Sequence, residues 1–106
     1  MLRKNEDFEE ALCHYCSLME QGEYFEAHEV MEAAWHPLRR QNDPLRHPVK
    51  GLINAAIAFE HLRRDRPKSR QVALKAMSGY ERRIVPEPRL EEARLLVERL
   101  RLEWGI

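Results

Sequence analysis

The chain has 106 residues, and its 18 Lys and Arg balance 18 Asp and Glu to a formal net charge of zero. That balance removes the long-range field by which basic proteins gather nucleic acid or anionic membranes, so nucleic acid is not favoured as a partner. No window is long and apolar enough to span a bilayer, no apolar run follows the first positive charges, and two cysteines make no disulfide framework, so a cytoplasmic protein without membrane association is expected. A single domain over residues 1–106 with 34% charged residues and only 4 Gly predicts an all-α fold.

The first helix is expected from about Asn5, as its cap, to Glu20, because Phe8, Leu12, Tyr15, Cys16 and Met19 recur at steps of three and four. Gly22 is placed to stop it. Cys13 and Cys16 have Cys-x-x-Cys spacing, yet both fall in mid-helix with Cys16 on the apolar side, which points to packing rather than to zinc or redox chemistry.

The segment from Gly22 to Trp35 predicts a second helix ending near His36, since Pro37 lacks an amide donor and crowds the preceding turn. Its stripe of Tyr24, Phe25, Met31 and Trp35 encloses His28 and Glu32, four residues apart. Ionisable groups in such a stripe need partners, because each buried unsatisfied hydrogen-bonding group costs about 1–3 kcal/mol. Residues 39–44 then read as a loop.

A third helix is expected from about Leu45 to Arg63, with Pro48 tolerated in its first turn. Val49, Leu52, Ile53, Ala55, Ala56, Ile57, Phe59 and Leu62 surround its axis, so it is the central buried helix of a compact five-helix domain. One line breaks this pattern: Lys50, Asn54, Ala58 and His61 share an edge, with Gly51 beside them. The natural surface for that edge to meet is the His28 and Glu32 stripe, which predicts a buried His/Glu/Asn polar cluster.

Arg39-Arg40, and Arg63-Arg64 with Arg66, Lys68 and Arg70, form basic clusters around the ends of helix three. In a charge-balanced chain they read as solvated groups that complement helix dipoles. Helix four, about Pro67 to Ile84, carries a packing stripe of Ala73, Met77, Tyr80 and Ile84. Residues 85–88 hold two prolines and make a stiff turn. The last helix, about Arg89 to Trp104, packs through Leu90, Ala93, Val97, Leu100 and Trp104. Leu95 and Leu102 lie on its opposite side, where a second copy forming a homodimer is the simplest partner.

Gly22-x-Tyr24-Phe25-Glu26-Ala27-His28-Glu29-Val30-Met31-Glu32-x-x-Trp35, followed by Gly51-Leu52-Ile53-Asn54-Ala55-Ala56 and His61-Leu62, resembles the DUF309 family of small bacterial and plastid proteins. The resemblance covers about Phe8 to Glu81. It implies an all-helical fold with a compact polar motif and implies no activity. Lys50 and Asn54 stand where that family typically has glutamines, and Glu60 precedes His61 where a histidine pair is common.

Two functional readings follow. In the first, Tyr24, His28, Glu29, Glu32, Trp35, Lys50, Asn54 and His61 form a ligand-binding or structural polar cluster in a non-catalytic interaction module that needs no cofactor or metal. In the second, His28, Glu32 and His61 hold a metal ion and Glu29 is the general base of a hydrolase, since an imidazole and a carboxylate at i and i+4 can share one cation.

Overall fold

The computed structural model describes the backbone of residues 4–106 and the side chains from Asp7 onward. The described helices are α1 (Lys4–Glu20), α2 (Tyr24–Arg40), α3 (Arg46–Arg64), α4 (Ser69–Arg83) and α5 (Glu91–Trp104), the last preceded by a 3-10 turn over Pro88–Leu90. Short connections fold each helix back along its predecessor, with α3 between α2 and α4 and α5 closing over α3 and α1. The all-α architecture with a central α3 is therefore the one the periodicity dictates.

Local chemistry sets the ends of α1. Gly22 takes a left-handed φ of +78°, which lets the Glu23 amide donate to the Leu18 carbonyl at 2.9 Å and the Gly22 amide to that of Met19 at 3.2 Å. At the other end α1 already includes Asn5, so this residue is not the expected boundary cap; its side chain lies outside the described residues.

The second helix does not stop at His36. It carries Pro37 in its interior and ends at Arg40. The carbonyl of Ala33, which Pro37 cannot serve with an amide, belongs to an exposed residue, where solvent can satisfy it. The extra turn also brings Leu38 into the core at 5% exposure and is closed by bonds from the Gln41 amide to Pro37 and from the Asp43 amide to Leu38. Burying one leucine is worth about 1.5–3 kcal/mol, which offsets much of the roughly 3 kcal/mol that an interior proline costs a helix.

The core joins Tyr15 and Met19 of α1, Ala27 and Met31 of α2, Val49, Leu52, Ile53 and Phe59 of α3, Ala73, Met77 and Tyr80 of α4, and Leu90, Val97 and Leu100 around α5. Tyr15 is fully buried and its hydroxyl donates to the Leu52 carbonyl at 2.8 Å, tying α1 to α3; burial holds that phenol well above its ordinary pKa. Cys16 packs as expected. Burial pushes its thiol up to about 11, while Cys13 is exposed. Leu95 and Leu102 are exposed at 55% and 85%, on the outer side of α5.

Candidate functional site

The buried stripe of α2 consists of Tyr24, Ala27, Met31 and Leu38. At 100° per residue these positions fall within an arc of about 60°. Alanine 27 and Leu38 shift the centre of that arc away from His28 and Glu32, which end on its flank. Phe25, expected inside, is 48% exposed. His28 is half-buried and Glu32 is 43% exposed at its side chain, with the His28 Nε2 to Glu32 Oε2 distance at 3.7 Å. This is a flanking ion-pair geometry and not the closed core network expected from the stripe.

The line on α3 is also turned. Lys50, Asn54, Ile57 and His61 are each half-buried, and the positions beside them, Gly51, Ile53, Ala55, Ala56 and Ala58, are buried. Their spacings of four, three and four place them on one strip. That strip is the part of the central helix left open between α2 and α4. The expected burial of Lys50, Asn54 and His61 against α2 is thus corrected: α3 turns this edge outward because α2 and α4 cover its two flanks.

Three stations follow one another along the strip. At one end, His61 and Ile57 share a hollow of about 190 Å³ with Phe25, His28, Glu60 and Arg64. In the middle, Asn54 faces α4, where a Cβ built on Gly79 would lie 2.7 Å from its Nδ2; the absence of a side chain at Gly79 makes room for the amide. At the other end, the Trp35 indole donates to the Arg46 carbonyl at 3.1 Å. Lys50 Nζ lies 4.5 Å from the centre of the Trp35 ring and the Arg39 guanidinium 5.6 Å from it, so two cations share one aromatic group.

Two of the sequence-derived residues stand apart. Tyr24 is buried, packs its ring 5.5 Å from that of Phe59, and accepts a hydrogen bond at 3.0 Å from the Trp104 indole, which ties α2 to the end of α5. Glu29 is exposed. Its position, about 100° around α2 from His28, directs it away from the His28 and His61 hollow.

The three-donor arrangement of His28, Glu32 and His61 is not formed. Among the described residues no three His, Cys, Asp or Glu side chains converge closely enough to hold a metal ion. His28 and His61 line one hollow, but Glu32 lies outside it, 43% exposed on the flank of α2.

Sequence reasoning missed Glu60 as a buried anchor. It is 7% exposed and accepts from Arg63 Nε and Nη2, each at 2.9 Å, and from Arg64 Nε at 2.7 Å. The bonds from Arg63 lead in holding its carboxyl below the ordinary range; those from Arg64 act the same way, and burial opposes them. The helical spacings of three and four from Glu60 were the available signal. A second signal was the scarcity of acid in mid-chain: between Glu32 and Glu60 the only carboxylate is Asp43, against Arg39, Arg40, Arg46 and Lys50.

Comparison with known families gives one match. Residues 12–71 fit the model of a domain of unknown function, DUF309. That span runs from mid-α1 to the start of α4 and includes every residue of the open strip. No curated protein and no solved structure matches the chain. Among the described residues no helix is long and apolar enough to cross a membrane.

Proposed function

The chain belongs to the DUF309 family, and from that premise we propose that it is a non-catalytic binding module whose site is the open strip of α3 with its α2 flank. One observation carries the reading. Lys50, Asn54, Ile57 and His61 interrupt the otherwise sealed surface of the central helix with an ammonium, an amide, an aliphatic group and an imidazole in a single row. Trp35 and His28 extend that row onto α2. Mixed polar and apolar groups on rigid helices suit recognition of a partner surface. Glu32 lies outside the hollow that His28 and His61 share, and Glu29 is directed elsewhere, which favours the binding module over a hydrolase built on these groups.

The test is site-specific photo-crosslinking in cells, with a photoreactive phenylalanine at Ile57 and, as control, at Leu74, an exposed residue of α4. Discrete adducts at Ile57 and none at Leu74 support the module. The same pattern at both positions, or none at either, contradicts it. Glu29→Gln separates the hydrolase alternative, for only an enzyme using that base loses an activity on this change.

The homodimer is part of the same proposal. Its support is the exposure of Leu95 and Leu102 beside the Arg99 to Glu103 pair, 3.5 Å apart, which presents both signs of charge to a two-fold copy. Sedimentation of the native chain and of Leu102→Glu tests it: a dimer should give way to monomer, and a native chain that sediments as monomer contradicts it.

A further inference from the structure

Basic residues collect where α2 ends, α3 begins and α4 ends. Arg39 and Arg40 close α2, Arg46, His47 and Lys50 lie in the first turns of α3, and Arg82 and Arg83 close α4. The three helix ends are joined. Trp35 touches Arg39, Arg46 and Lys50, and a Cβ on Gly51, next to Lys50, would lie 3.3 Å from that of Arg83. Among the described residues, no carboxylate lies within 4.0 Å of the basic groups of Arg39, Arg40, Arg46, Lys50, Arg82 or Arg83. Arg83 Nε is also buried with no hydrogen-bond partner among those residues.

Helix dipoles explain only part of this. Cations at the ends of α2 and α4 meet the negative pole of each helix, which stabilises them without a partner. Those at the start of α3 meet the positive pole. The first turn of α3 holds no acidic residue and its boundary residue, Leu45, supplies no side-chain cap. Asp43 Oδ1 accepts from the Leu45 amide at 2.9 Å, so one carboxylate already faces the start of α3; two basic helix ends still flank that end, and an external anion complements the cations that Asp43 leaves in excess.

We infer that this end of the open strip binds a short acidic peptide segment of a partner protein, through Arg46, Lys50, Arg82 and Arg83. The inference rests on the binding-module reading and names the chemistry of its partner. Side-chain guanidinium groups recognise carboxylates through paired hydrogen bonds, and the cations span three neighbouring helices, about 16–20 Å, which is wider than one small anion. The patch is also short. Glu32 lies seven residues before Arg39 on the same side of α2, and Asp43 sits in the adjoining loop, so a long nucleic-acid strand running past the patch meets like charge.

The experiment is fluorescence anisotropy of the full chain with a labelled, end-capped octapeptide of six glutamates and two alanines. A lysine-for-glutamate peptide and a single-stranded oligonucleotide of equal charge serve as the other arms. Saturable binding of the acidic peptide is expected, weakening about tenfold as salt rises from about 50 to 200 mM and about tenfold in Lys50→Gln/Arg82→Gln. His47→Glu, an exposed single change, provides a second variant and should weaken binding about threefold if the double variant misfolds. No saturation, equal binding of the lysine peptide, unchanged affinity in the folded variants, or tighter binding of the oligonucleotide overturns the inference. Failure of the peptide with Ile57 crosslinks intact removes the acidic chemistry alone. Failure of both removes the module.

Discussion

The two ends of α3 treat positive charge in opposite ways. At its C-terminal end, Arg63 and Arg64 lie at the negative pole of the helix and both bond to the buried Glu60. At its N-terminal end, Arg46 and Lys50 lie at the positive pole with no carboxylate within 4.0 Å among the described residues. Sequence composition counts these cations alike. Their surroundings separate them: the first pair meets a buried carboxylate, whereas Arg46 meets the Asp43 carbonyl, at 2.9 Å, and Lys50 the face of Trp35.

Breaking the satisfied end should have the largest effect. Glu60→Ala removes the carboxylate shared by Arg63 and Arg64 and should cost about 1–2 kcal/mol in urea unfolding, since water can reach both half-exposed guanidinium groups. Acid should reveal the same contact. Because the folded Glu60 pKa is lowered, its contribution is complete above the unfolded carboxylate pKa and disappears as pH falls through the folded one. Melting curves of the native chain should therefore lose stability more steeply over that acidic range than those of Glu60→Gln; parallel curves would show that the carboxylate is not held this way.

Substitutions in the open strip should do less. Gly51→Ala brings a methyl group to 3.3 Å from Arg83 Cβ and 3.4 Å from the Tyr80 carbonyl, where α4 must shift, and should cost about 1 kcal/mol. Gly79→Ala meets only the end of the Asn54 side chain, which can rotate, and the gain of about 0.8–1 kcal/mol in helix propensity offsets that move. Its net change in urea unfolding should be near zero. A larger loss for Gly79→Ala than for Gly51→Ala would mean that the Asn54 amide, not the contact of α3 with α4, fixes this part of the strip.

Helices, their order and the central place of α3 were legible because apolar periodicity over 14 to 19 residues outweighs any single exception. Pro37 was such an exception. A local rule ended α2 there, whereas burial of Leu38, a tertiary gain invisible to the rule, carried the helix on. The faces of α2 and α3 that carry the candidate residues were wrongly oriented. Large residues defined the α2 stripe in the sequence, and Ala27, fully buried, did not weigh enough to show that the arc is centred away from His28. On α3 three of the four residues of the row were readable, but Ala58 is buried and Ile57 takes its place in the strip, and whether the row faced α2 or solvent depends on where α4 packs. Gly51 and Gly79 encode that packing only as an absence of side chain.

The most direct test of the contrast between the two ends is the stability of His47→Glu. This exposed residue lies in the first turn of α3, touching the unsatisfied end alone. A carboxylate there should relieve the basic cluster and the positive pole together, raising the unfolding free energy by about 0.5–1 kcal/mol at low salt and less at high salt. A stabilised variant that binds the acidic peptide more weakly is the predicted result. Unchanged or lowered stability at low salt would contradict the claim that the N-terminal end of α3 holds more positive charge than Asp43 offsets.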